Sequence, residues 1–148
     1  MSDDVVVVRR LFDAVEARDL DRVLDCYSDD VEIAEAEALP YGGVWRGREG
    51  AAGHAEAFMR AWGSLQGPEE SRLDARIWGD GAGTVCAVFH HRARDRASGE
   101  RFDAPEVGIY RIRDERVAAS QMFHADSAAV IRFLNKALAG NDDPPAQP

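Results

Sequence analysis

Residues 84–124 read TVCAVFHHRARDRASGERFDAPEVGIYRIRDERVAASQMFH, and this stretch decides the fold. Thr84 to Arg94, Phe102 to Arg113 and Arg116 to His124 are rich in β-branched and aromatic residues and read as three long strands. Ala97-Ser98-Gly99 turns the chain between the first two, and Asp114-Glu115 sits at the turn between the last two. Strands joined by turns this short pair antiparallel. Upstream, Leu73, Ala75 and Ile77 alternate with Arg72, Asp74 and Arg76, and Gly79-Asp80-Gly81 follows, which adds a strand ahead of the run.

The first half of the chain has the other periodicity. Val8, Leu11, Phe12 and Val15 recur at i, i+3, i+4 and i+7, one buried helix face. Ser2, Asp3 and Asp4 suit its start. A second, short helix carries Leu20, Val23, Leu24 and Tyr27 behind an Asp19 cap. Ser28-Asp29-Asp30 reads as a turn, Val31 to Glu35 as an alternating strand, and Pro40 to Gly47 as a loop. A third helix places Ala55, Phe58, Met59 and Trp62 on one face and ends near Gly63. Asp126 or Ser127 caps a last helix with Val130, Ile131, Phe133 and Leu134. Helices gathered ahead of a run of strands predict an α+β fold. The expected architecture is a curved, mostly antiparallel sheet wrapped over three N-terminal helices, with a C-terminal helix, enclosing a cone-shaped cavity. Residues 3–139 form one domain, and 140–148, which open on Gly140-Asn141-Asp142-Asp143-Pro144-Pro145, read as a disordered tail.

Length and charge narrow the function. The chain has 148 residues, 18 basic and 27 acidic, for a net charge of -9. Nucleic acid is therefore not an expected partner, because phosphate binding needs a clustered basic surface. The longest aliphatic run, Val5–Val8, is far too short to span a bilayer. Asp3 and Asp4 stand where a signal peptide would be positive, so a cytoplasmic protein without membrane contact is expected. Cys26 and Cys86 lie sixty positions apart with no zinc-type spacing, and no His-x-x-x-His occurs. Neither a metal nor another cofactor is expected.

Strand parity selects the candidate chemistry. Val31, Ile33 and Glu35 share a face, so Glu35 points into the cavity if the strand continues and into solvent if it frays after Ala34. In an apolar cavity its carboxylate is a candidate general base. Phe102, Ala104, Glu106, Gly108, Tyr110 and Ile112 share one parity, with Glu106 the odd member. A carboxylate on an apolar face needs a function or a partner, here one of the many arginines. His124 depends on the hairpin. A two-residue loop, Asp114-Glu115, puts it opposite Glu106's face. A three-residue loop with Glu115 left-handed puts Ser120, Met122 and His124 on the face of Glu106 and Tyr110, and is preferred here. His124 is then an acid or oxyanion donor. Of His90 and His91, the latter travels with Val85, Ala87, Phe89 and Ala93 and is the inward choice. His54 is expected to be exposed. Tyr27, Trp45, Phe58, Met59, Trp62, Tyr110 and Met122 are expected cavity wall, and Asp126 is either a cavity acid or a helix cap.

The order and spacing of four segments resemble the NTF2-like superfamily, in its SnoaL-like branch of polyketide cyclases and ketosteroid-isomerase relatives. They are Asp19 to Ile33, the Gly42-Gly43-Val44-Trp45-Arg46-Gly47 loop, the Tyr110 to Val117 hairpin, and Phe123-His124-Ala125-Asp126 before the last helix; the likeness covers about residues 5–135. The resemblance puts Glu35 where ketosteroid isomerases carry their catalytic aspartate, and puts a frequent family acid at Gly108. It also shows departures. The isomerase tyrosine on the first helix is Leu11 here, and the Asp-Arg-Asp of epoxide hydrolases falls on Glu106, Gly108 and Met122. SnoaL-type aldol cyclases place an acid near Met122. The resemblance implies a cofactor-independent cyclase or isomerase of bacterial secondary metabolism, working on an apolar polyketide-like or polycyclic small molecule, and a homodimer. The competing expectation is a non-catalytic small-molecule-binding or scaffold protein, whose pocket would satisfy all its own polar groups.

Overall fold

Alternating apolar residues build one six-stranded sheet, and amphipathic helices cover its inner face. A computed structural model describes residues 3–141, apart from the side chain of Asn141. Its elements are α1 (Asp3–Glu16), α2 (Leu20–Asp25), β1 (Tyr27–Glu35), β2 (Gly43–Arg46), α3 (Gly47–Trp62), β3 (Arg76–Gly79), β4 (Thr84–Arg94), β5 (Arg101–Arg113), β6 (Arg116–His124) and α4 (Ser127–Asn141), with a single 3-10 turn at Gly63–Leu65. The strand order is β2-β1-β6-β5-β4-β3. Every neighbouring pair is antiparallel except β1–β6, which is parallel. The fold is the α+β arrangement that the sequence predicts.

In β4 the buried set is Val85, Ala87, Phe89, His91 and Ala93. Against it lie Val7, Val8, Leu11 and Phe12 of α1, together with Val31, Ile33, Tyr110 and Val117. A second apolar cluster joins α3 to α4 around Trp62, Tyr41, Leu65 and Leu134. Asp19 caps α2 as its sequence suggests, accepting from the Arg22 N–H at 3.2 Å.

Several local expectations are corrected. Ser28-Asp29-Asp30 belongs to β1 and makes no turn; Ser28 Oγ donates to Asp30 Oδ1 within the strand. The Pro40–Gly47 loop contains β2, held to the edge of β1 from Glu32–Arg46 to Glu35–Gly43. α4 continues through Gly140 to Asn141. The remainder of the expected tail, 142–148, lies outside the described residues.

The β5–β6 hairpin matters most. Its loop is the two-residue form, with Asp114 and Glu115 both left-handed at φ 52° and 62°. Two left-handed central residues give a turn whose twist matches that of the strands, so the short loop wins over the three-residue one expected. Arg113 pairs Arg116 and Ile112 pairs Val117, but Arg111 pairs Ala119. Ala118 is thus an extra residue, a bulge within β6 rather than in the loop. Beyond it Tyr110 pairs Ser120, Gly108 pairs Met122 and Glu106 pairs His124. The bulge restores the inward face that the three-residue loop was expected to give.

Candidate functional site

The sheet register assembles the site. One inner rung reads Phe89, Glu106, His124 across β4, β5 and β6; the next reads Ala87, Gly108, Met122. On β1, Ile33 pairs Ser120 and Ala34 pairs Gln121, which brings Glu35 alongside Met122. Three ionisable side chains from three strands therefore meet at one end of the inner face.

They are bridged by imidazoles. His54 Nε2 lies 2.8 Å from Glu35 Oε2. His124 Nε2 lies 3.9 Å from Glu35 Oε1 and 3.5 Å from Glu106 Oε1. His91 Nδ1 lies 3.3 Å from Glu106 Oε2. The result is a chain His54–Glu35–His124–Glu106–His91. The side chains of Glu35, Glu106, His124 and His91 are only 2–7% exposed. Burial pushes the Glu35 carboxyl above its ordinary value; the His54 hydrogen bond opposes this, and the Glu106 charge adds to it. Glu35 Oε1, His91 Nε2 and His124 Nε2 have no hydrogen-bond partner.

This polar end closes a cavity of about 230 Å³. Its walls are apolar, with Leu11, Phe12, Val23, Phe58, Leu73 and Phe89 prominent. Arg18 lines it too, and its guanidinium donates to the Gln66 carbonyl and to Ser71 Oγ. Tyr110 is buried at the wall and its hydroxyl reaches only the Met122 sulfur, at 3.8 Å, a weak acceptor. Desolvation holds the Tyr110 phenol far above its ordinary range, so it is a hydrogen-bond donor and not a base.

Of the residues singled out by sequence, Glu35, Glu106, Tyr27, Phe58, Met59, His91, Tyr110 and Met122 line the cavity. His124 contacts both carboxylates from within the sheet. Glu106 meets imidazoles and no arginine. His90 turns outward to Asp103, at 2.9 Å. The other placements differ. Ser120 is buried in the sheet with its hydroxyl unpartnered. Trp62 is wholly buried; Nε1 donates to Tyr41 Oη at 3.0 Å, and its ring packs 4.1 Å from that of His91. It supports the site from behind, because the second apolar cluster claims it. Trp45 donates to the Tyr41 carbonyl at 3.0 Å and sets its ring edge toward His54. Asp126 is exposed and accepts from the Ala129 N–H at 3.0 Å, so the helix cap is what the structure shows.

Sequence reasoning missed His54, which is 15% exposed at its side chain and lines the cavity. The signal was available: His54 follows Ala51 by three and precedes Phe58 by four, on one helix face.

The chain belongs to the SnoaL-like domain family, whose pattern matches residues 8–120. Its fold is that of the NTF2-like proteins. One such protein, of unknown function from Burkholderia pseudomallei K96243, superposes with a TM-score of 0.76 at 20% identity, over 90% of this chain and 98% of that one. TerC, co-crystallised with polyporic acid, gives 0.76 at 17% identity, over 90% and 99%. A presumed polyketide cyclase from Xanthomonas campestris pv. campestris gives 0.67 at 15% identity, over 91% and 96%. Likeness at these identities carries the fold and not the reaction. No curated protein sequence matches the chain.

Proposed function

We propose that this protein is a small-molecule acid–base enzyme that cyclises or isomerises an apolar, polyketide-like or polycyclic substrate. The observation that carries this reading is the pair of buried carboxylates, Glu35 and Glu106, bridged by His124 at one end of a mostly apolar cavity. Glu35 Oε1 accepts a proton from carbon beside a substrate carbonyl, while His54 holds Oε2. Glu106 with His124 returns the proton at the second position, and the Tyr110 hydroxyl donates toward the carbonyl oxygen. TerC and the presumed polyketide cyclase of Xanthomonas campestris support the substrate class by analogy of fold.

A passive binding pocket would satisfy its own polar groups, whereas Glu35 Oε1, His91 Nε2 and His124 Nε2 have no hydrogen-bond partner. The test is deuterium uptake from D₂O into polycyclic and polyketide-like ketones. The wild type exchanges one position, and Glu35→Gln loses roughly 10²–10⁴-fold in rate. Equal exchange by the folded variant would remove Glu35 as the base.

A homodimer fits the outer sheet face, where Trp78, Ile109 and Phe123 are 39–50% exposed. Sedimentation of wild type and Phe123→Glu tests it: the wild type should run as a dimer and the variant as a monomer.

A further inference from the structure

We propose that Glu35, Glu106 and His124 also bind a divalent transition-metal ion, zinc-like in its ligand preference, and that the bound ion excludes the acid–base chemistry. The geometry of each carboxylate points to it. One oxygen of each is committed to an outer imidazole: Glu35 Oε2 to His54 and Glu106 Oε2 to His91. The other oxygen of each turns inward to His124 Nε2, at 3.9 and 3.5 Å. A donor atom from each of the three residues lies within 4.8 Å of the other two. Glu35 Oε1 and His124 Nε2 make no hydrogen bond, although their side chains are only 3% and 2% exposed.

Buried polar atoms without partners beside two converging carboxyl groups are costly, and a divalent cation at their common point answers both at once. The donor set chooses the ion. Calcium takes six to eight oxygens and magnesium keeps most of its waters, whereas two carboxylates and one imidazole suit zinc or cobalt. Donors on a four-coordinate zinc lie about 3.3–3.6 Å apart at bond lengths of 2.0–2.2 Å. The His124–Glu106 separation of 3.5 Å already meets that, and the His124–Glu35 separation of 3.9 Å must close by a few tenths of an ångström. The three donors sit on β1, β5 and β6, rigid elements of one sheet. His54 and His91 are the outer partners that fix the carboxylates, as metal sites require. Glu35 and Glu106 both line the cavity, so an open coordination position faces the substrate space.

A pair of electrons on Glu35 Oε1 that binds a cation cannot accept a proton. Inhibition by the ion therefore rests on the acid–base reading, whereas binding of the ion does not. The experiment is titration of chelator-treated full-length protein with Co²⁺, read by visible absorption and by calorimetry, followed by displacement with Zn²⁺. One Co²⁺ per chain is expected, with the intense bands of four- or five-coordination. Glu106→Gln, which keeps the shape, and His124→Ala should each weaken binding by about 100-fold or more. His90→Ala, on the outer face, should not change it, and circular dichroism checks that each variant is folded. No low-coordinate spectrum in the wild type, or full affinity in folded Glu106→Gln, overturns the site. Deuterium exchange that persists at saturating Zn²⁺ overturns the exclusion. Absence of exchange in metal-free protein would sink the acid–base reading alone, and the Co²⁺ spectrum would still decide the site.

Discussion

Replacing Glu35 by Gln should make the protein more stable at neutral pH, and the gain should depend on pH. The Glu35 side chain is 3% exposed, and burial raises its pKa above the ordinary 4.5, with Glu106 adding to the rise and His54 opposing it. A carboxyl whose folded pKa exceeds its unfolded one binds more protons folded than unfolded between the two values. Folding is therefore penalised progressively as pH rises through that window. For one group the slope reaches about 1.4 kcal/mol per pH unit, and the full penalty stands above the folded pKa. Gln keeps the shape, can still accept from His54, and carries no charge to desolvate.

Urea unfolding of both proteins in half-unit steps from pH 4 to 8.5, with chelator present so that no coordinated cation contributes, measures the difference. It should grow in the variant's favour from about pH 4.5 upward and then level off. Each kcal/mol corresponds to roughly 3–4 °C in Tm for a domain of this size. A difference that does not vary with pH, or a variant less stable at pH 8 than the wild type, would refute the assignment of Glu35 as a charge held against its desolvation cost.

Three further outcomes are expected. Glu115→Gly should raise stability by about 1 kcal/mol in urea melts, because φ is 62° there and Glu adopts that region poorly. Gly108→Ala should cost roughly 1–3 kcal/mol, since its Cβ would stand 2.5 Å from Tyr110 Oη. A double-mutant cycle with Tyr110→Val should recover much of that loss, and strict additivity would show that the two do not touch. Asp126→Ala should lower stability by about 1 kcal/mol through loss of the cap while leaving deuterium exchange intact.

The architecture was legible because it depends on periodicity. Val85 to Ala93 and Val8 to Phe12 announce their faces without help from the rest of the chain. Glu35 and His91 were legible for the same reason, each sharing parity with apolar neighbours. His124 was expected inward, but by a three-residue loop; the device that turns it inward, a single residue of register, could not be read. Ala118 as a bulge sends His124 inward, and no local property of Ala-Ala distinguishes a bulge from a regular step. β2 escaped because its four residues pair only with the edge of β1 and carry Gly43 at a φ of 96°. The absence of His-x-x-x-His likewise spoke only to metal sites on one helix, whereas the donors that converge here come from three strands distant in sequence.

The departures from the family resolve into one displacement along the sheet. The positions where relatives place acids, Gly108 and Met122, are directly paired across β5 and β6, and neither carries a proton here. Gly108 has no room for an acid: Tyr110 folds back over it, with ring atoms 2.6 and 2.7 Å from where a Cβ would lie. The next rung on the same inner face is Glu106 paired with His124, an acid opposite an imidazole. Side chains repeat a face every two residues, so an acid moved by one rung keeps its orientation and changes only its depth. Glu35 at the last residue of β1 lies within reach of that rung, and His54 and His91 hold the two carboxylates from either side. Tyr110 then serves twice. Its ring fills the vacated position, and under the proposed reading its hydroxyl is the donor that the first helix, with Leu11, does not supply.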